Sequence, residues 1–344
     1  MKTTGIMKSA MAALLALTLT ACGTDTSAGE PAETAAASGS AEEKTVYKVA
    51  IVKQLDHASL DEIANAIAAE LDVLAEKNGV TIEYGDIYSG QNDQTTLQQI
   101  GSQAIADNVD VIIPIATLAA QTMTAAAADT KTPVIYAAIS DPEAAELTGI
   151  DYVSGTSDAL NTNLIMQMMF TENKPMKKVG LLYSKSEANS AKPIEEAKAY
   201  LEQNGIEIVE ANGNTNDEVI QAASSLIGAN VDAVFTPTDN VIMAAELAIA
   251  PMFAEAGIPH FTGADSFVRN GALTTCGVNY TDLGTKTADL AFEAMTKGMA
   301  DMEDYYLMDG GIVTVNTETA AALGFNYNVL GDFGELVEVV TTED

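Results

Sequence analysis

At 344 residues the chain is long enough for about two domains, and a hydrophobic share of 47% is ample for their cores. Forty-nine acidic residues against 16 Lys and Arg give a formal net charge of −33. That balance excludes nucleic acid as a partner, because phosphate binding needs clustered basic side chains. The acidity reads as a solvated surface. Arg269 is the one arginine, so an anionic ligand group must rely on backbone N–H groups, hydroxyls or lysine.

Lys2 and Lys8 precede an apolar run from Ala10 to Ala21. The run is too short to cross a bilayer, which takes about 20 residues, and it fits the apolar region of a secretory signal. It ends in Leu19-Thr20-Ala21-Cys22-Gly23, which resembles a bacterial lipobox. The resemblance implies cleavage before Cys22 and a lipid on its thiol, anchoring the protein to a membrane without spanning it. Cys276 then stands alone, and no disulfide is expected. The expected organisation is a leader over 1–21 and a lipidated tether over 22–45. The tether is rich in Ser, Thr, Ala, Gly and Glu and holds too little apolar surface to fold.

The body alternates strand and helix. Strands are expected at Tyr47–Val52, Val80–Tyr84, Val111–Ile113 and from Pro133, then at Val179–Tyr183, Glu207–Glu210, Ala233–Phe235, from Pro259, Leu273–Val278 and Ile312–Val315. Between them, helical spacing runs from Leu60 to Ala75, with Asn78-Gly79 as the stop. Further helices are expected over Thr96–Ala106, Leu118–Ala128, Asn161–Phe170, Pro193–Gln203, Glu218–Ile227, Val241–Glu255 and Leu283–Met295. Such alternation implies parallel sheets covered on both faces. Met166, Met168 and Met169 read as core packing. No role is assigned to the acidic tail after Leu330.

The two halves repeat each other. Asn108-Val109-Asp110 matches Asn230-Val231-Asp232, Asn78-Gly79 matches Asn204-Gly205, and Pro133 matches Pro259. The first lobe is read as 46–156 plus 279–308 and the second as 157–278 plus 309–338.

Open α/β sheets bind ligands outside the carboxyl ends of their strands. In the first lobe those loops carry Gln54, His57 and Ser59, then Ala116-Thr117, then Ser140-Asp141. In the second they carry Ser186, Glu187, Asn189 and Ser190, then Thr238-Asp239-Asn240, then Asp265-Ser266. Several precede a helix, where free N–H donors favour an anion. Thr117 and Ser140 hydroxyls suit a carboxylate, and Asp239 and Asp265 suit an ammonium. A zwitterionic amino acid held between lobes follows. Leu55, His57 and Ala120 are the expected walls of an apolar side-chain slot. His57 and His260 are the only histidines, His260 lies in a strand, and no metal-ligand spacing, P-loop, GxGxxG or nucleophile elbow occurs. Neither an enzyme nor a cofactor is expected, and the protein is expected to be a monomer.

Seven stretches carry a family resemblance: Val49–Asp61, Pro114–Gln121, Ser140-Asp-Pro, Val153–Asp158, Tyr183–Ser190, Pro237–Asn240 and Gly263–Ser266. With the lipobox they resemble the solute-binding lipoproteins of ABC importers, of the tryptophan/tyrosine type. The resemblance implies a type I periplasmic-binding fold: two Rossmann-like lobes joined by a three-strand hinge near Val153–Ser157, Gly277–Asn279 and Leu307–Gly311. It also implies an aromatic amino acid as ligand and an ABC permease as partner. A sugar, nucleoside or other small solute is the alternative ligand, and a sensor without transport the alternative role.

Overall fold

The computed structural model describes residues 45–171 and 176–342. The expected leader, Cys22 and the tether up to residue 44 lie outside the described residues. The chain begins β1 (Val46–Lys53), α1 (Ala58–Asn78), β2 (Thr81–Glu83), β3 (Tyr88–Ser89), α2 (Gln94–Ala106), β4 (Val111–Ile115), α3 (Thr117–Ala127), β5 (Val134–Tyr136) and β6 (Val153–Ser157). It continues through α4 (Thr162–Met169), β7 (Lys178–Tyr183), α5 (Ala191–Gln203), β8 (Glu207–Asn212), α6 (Asn216–Gly228), β9 (Ala233–Thr236) and α7 (Asn240–Glu255). Then come β10 (His260–Thr262), α8 (Asp265–Arg269), β11 (Thr274–Gly277), α9 (Tyr280–Lys297), β12 (Tyr306–Leu307), β13 (Ile312–Asn316), α10 (Thr317–Leu323) and β14 (Glu335–Val339).

Two seven-stranded sheets result. One has the order β12-β6-β5-β4-β1-β2 with β3 also on β1, and the other β14-β13-β11-β10-β9-β7-β8. The chain leaves one sheet for the other after β6, after β11 and after β12. The fold is therefore the expected pair of lobes with a three-strand hinge. One pairing departs from the parallel rule: β13 runs antiparallel to β11, because it enters its sheet from the hinge and not from a covering helix.

The repeat has a structural cause at the strands' amino ends. Asn108 and Asn230 both take φ of 53°, the left-handed conformation that ends α2 and α6 and that Asn tolerates better than most residues. Asp110 then accepts from the Lys48 N–H at 2.8 Å, and Asp232 from the Lys178 N–H at 2.9 Å. Pro133 and Pro259 carbonyls accept from Ile112 and Val234. Identical residues thus pin each central strand to its neighbours at the end remote from the ligand loops.

The helices bury the faces their spacing marked. Ile63, Ile67, Leu71 and Leu74 of α1 face the core, and Gly79, at φ 66°, closes the helix by donating to Ala75 and Glu76 carbonyls. The α4 methionines Met166, Met168 and Met169 are buried in the second lobe's core, and so is the free Cys276. His260 is buried too, bonded to Glu246 at 3.0 Å and to Thr236 at 2.9 Å. Five short elements carry too little periodicity to read: β3, α8, β12, α10 and β14. The last corrects the reading of the acidic tail. Glu335–Val339 pairs parallel with β13 as an edge strand, its Glu335 and Glu338 exposed.

Candidate functional site

The carboxyl ends of both sheets face one another, and the hinge closes the third side. From the first lobe, His57, Ser59 and Leu60 enter at the start of α1, Ala116 and Thr117 at the start of α3, and Ala138 and Ser140 beyond β5. The second lobe brings Asn189, Thr238, Asp239, Asn240 and Met243, then Ala264, Ser266 and Phe267. Asp158 and Tyr280 come from the hinge. Together they enclose a cavity of about 30 Å³, so an amino acid enters only when the lobes part. Ala116, at φ 74° and ψ 164°, and Ala138, at φ 57°, hold backbone conformations unusual outside glycine. Such strain costs about 1–3 kcal/mol each and clusters at ligand sites.

Two hydrogen-bonded chains cross between the lobes, and they share no member. In one, Gln54 Nε2 donates to Glu187 Oε1 at 3.0 Å, Asn240 Nδ2 donates to Glu187 Oε2 at 2.7 Å, and Asn240 Oδ1 meets His57 Nε2 at 3.1 Å. Burial first, and then the charge of Asp239, push Glu187 up to about 7. In the other chain, Ser140 Oγ donates to Asp158 Oδ1 at 2.9 Å and lies 2.9 Å from Thr238 Oγ1. Tyr280 donates to Asp158 Oδ2 at 3.1 Å. Burial pushes Asp158 above the usual carboxylate range against the pull of these two donors. Each Asp158 oxygen retains a lone pair, because a carboxylate accepts about four bonds.

A model of the family described as ABC transporter substrate binding protein matches residues 48–329. The chain belongs to that family. It is 33% identical over 286 residues to a tyrosine-binding protein of Clostridioides difficile strain R20291, covering 81% of each chain. Among solved structures it is similar to an ABC domain from Streptococcus pneumonia in complex with L-Trp. The identity there is 27%, the TM-score 0.75, and 85% of this chain and 99% of that one are covered. A ligand-free, open substrate-binding protein with adhesive properties from Clostridium difficile is 30% identical. It covers 86% of this chain and all of its own, at a TM-score of 0.63. The higher score goes to the liganded structure despite its lower identity, in keeping with the cross-lobe bonds seen here.

This substrate-binding protein brings His57, Ala116, Thr117, Ser140, Asn189, Thr238, Asp239 and Asn240 to the cavity as the loop positions implied. Gln54 and Glu187 stand beside it as the first members of one chain. The remaining expected residues lie elsewhere. Leu55 is packed in the first lobe's core, and so is Ala120, which leaves His57 alone of the three expected wall residues. Asp141 ties to Lys192 of the other lobe at 3.2 Å, a rim ion pair. Asp265 takes Arg269 at 3.0 Å, an i,i+4 pair on α8, which engages the chain's one arginine away from the cavity.

Asp239 lines the cavity, but its carboxylate is engaged within its own lobe. It caps α7 through Val241 and Ile242 N–H groups at 3.1 and 3.0 Å and accepts from Ser184 N and Ser190 Oγ at 2.7 Å each. All four acceptor positions are filled. The matching helix of the other lobe is not capped by the residue before it: Ala116 offers no side-chain acceptor, and one first-turn donor, the Leu118 N–H, goes to Gln54 Oε1 at 2.9 Å. Asp158 is the cavity carboxylate that loop reading passed over, because it follows β6 at the hinge and not at a strand-to-helix loop. Its place in the Val153–Asp158 stretch was the available signal.

Proposed function

We propose that this protein is an extracytoplasmic, lipid-anchored solute-binding protein of an ABC importer, and that its lobes close on an amino acid with an aromatic side chain. The observation that carries the ligand class is the pairing of Asp158 with the start of α3. Asp158 is a buried carboxylate with acceptor capacity to spare, suited to an ammonium. The start of α3, beside Thr117, has no acceptor from its own cap residue, and Gln54 takes only the Leu118 N–H, which leaves other first-turn N–H donors for a carboxylate. No Lys or Arg is among the cavity-lining residues, so the anion falls to the helix. Leu60, Met243, Phe267 and Tyr280 supply the apolar surface for a ring, whose burial contributes roughly 1.5–3 kcal/mol. The relatives that bind tyrosine and tryptophan support the same class.

Ligand binding to both lobes favours closure by the difference in its affinity for closed and open forms, and the closed form is then presented to a membrane permease. The lipid on Cys22 rests on the Leu19–Gly23 stretch.

Calorimetric titration with tyrosine, tryptophan, phenylalanine, glucose and a nucleoside tests the class. The aromatic amino acids are expected to bind and the others not. Asp158→Asn is expected to weaken the amino acids about 10- to 100-fold by removing a charge-assisted bond. Binding of the sugar or nucleoside alone, or an Asp158→Asn variant with native affinity, overturns this reading. The chain has no Trp, so the fluorescence of added tryptophan reports its own environment.

A further inference from the structure

The chain Gln54–Glu187–Asn240–His57 has a direction, and the direction fixes which imidazole nitrogen carries the proton. Gln54 is oriented by the backbone: its Oε1 accepts the Leu118 N–H at 2.9 Å, so its Nε2 faces Glu187 and Asn92. An ionised Glu187 only accepts, so Asn240 turns its Nδ2 toward it and its Oδ1 toward His57. His57 Nε2 must then be the protonated nitrogen. Burial pushes the imidazole below its ordinary value, so the ring is neutral and Nδ1 is a bare acceptor. That Nδ1 is shielded from solvent, has no hydrogen-bond partner, and belongs to a cavity-lining residue. Leaving such an acceptor unpaired is costly.

Four side chains and a backbone amide therefore leave one bare acceptor on a cavity-lining residue, on a chain separate from the one that holds Asp158. We propose that His57 makes this site select an aromatic side chain bearing an N–H or O–H donor over one bearing none. The inference rests on the aromatic amino-acid reading above. With the ammonium at Asp158 and the carboxylate at α3, the donor left to meet His57 Nδ1 is the phenol O–H of tyrosine or the indole N–H of tryptophan. Phenylalanine has neither.

The test compares the wild-type protein with His57→Phe at pH 8, where Glu187 is ionised, by titration with tyrosine, tryptophan and phenylalanine. The wild type is expected to bind at least one donor-bearing ligand about 10- to 100-fold more tightly than phenylalanine. His57→Phe also breaks the cross-lobe bond to Asn240 and lowers all three affinities, so the readout is their ratio: the advantage over phenylalanine should fall to within about twofold of unity, with a thermal melt reporting that the variant is folded. Equal wild-type affinities for all three, or an equal loss for all three in the variant, overturns the inference while leaving the amino-acid site standing. Binding of none of them overturns the amino-acid reading itself. Long-range 1H–15N spectra supply a readout that a merely structural role would not move. The chain has two histidines, and His57 is expected in the Nε2–H form. Tyrosine or tryptophan should shift its Nδ1 resonance and phenylalanine should not. An Nδ1–H form at pH 8 also overturns the inference.

Discussion

Asp239 and Asp158 show how little residue type settles at the scale of the single side chain. Both are buried carboxylates on the same cavity, yet one has four protein donors and the other two. Removing Asp239 leaves the start of α7 uncapped and the Ser184 N–H without its acceptor. Asp239→Ala is expected to lower folding stability by about 2–4 kcal/mol, a lost cap plus a buried unsatisfied donor. Urea unfolding measures it, and a loss under 1 kcal/mol would contradict the capping role. Serine and threonine behave alike in this respect. Ser140 was read from sequence as a donor to a ligand carboxylate, but its proton goes to Asp158.

Elements are positioned by contacts that allow little substitution. Helix α9 returns to the first lobe and lies against α1, and Gly284 is where they come nearest. A Cβ built there would stand 2.7 Å from Ala66 Cβ and 2.7 Å from the Ile63 carbonyl oxygen. The obstruction includes backbone, so the helices must separate. Gly284→Ala is expected to cost about 1–3 kcal/mol, offset in part by the better helix propensity of alanine. A thermal melt at or above that of the wild type would show that the helices have room. Because α9 follows a hinge strand and starts at Tyr280, which donates to Asp158, a displaced α9 also disturbs the ligand site. At the same scale, the paired Asn-Val-Asp segments mark where each α–β unit begins, remote from the loops that differ between lobes.

For the whole molecule the open–closed equilibrium is the functional variable, and Glu187 couples it to pH. Its closed-form value of about 7 lies above the 4.5 expected of a hydrated carboxyl, so the closed form holds a proton that a hydrated Glu187 in the open form releases between those values. The contribution to closure is fully present below about 4.5 and is lost as pH rises through about 7. Small-angle scattering is therefore expected to find the protein more compact at pH 6 than at pH 8. Glu187→Gln should remove most of the difference. Identical scattering at both values rules the coupling out. Below neutrality a protonated Glu187 can also donate to Asn240, which reverses the direction of the chain that holds His57. The preference for a side-chain donor is accordingly strongest above pH 7.

The sequence by itself determined the alternation of strands and helices, the duplication, the face each helix buries and the set of loops from which a site had to be built. These depend on periodicity and local backbone chemistry, which neighbouring residues in the chain carry. It also left a ligand anion to backbone N–H groups, hydroxyls or lysine, since the single Arg269 could not serve a cluster. Short elements such as β12 and β14 were illegible because they owe their form to a partner strand and not to their own few residues. Only the tertiary structure decided how the loop residues divide their hydrogen bonds. It assigned Asp239 to its own helix, Asp265 to Arg269 and Asp141 to Lys192, and it brought Asp158 and Tyr280 from the hinge into the cavity. The physical reason is that a polar group's capacity for a ligand is what remains after its partners in the fold are counted, and those partners lie up to 183 residues away along the chain, as for His57 and Asn240.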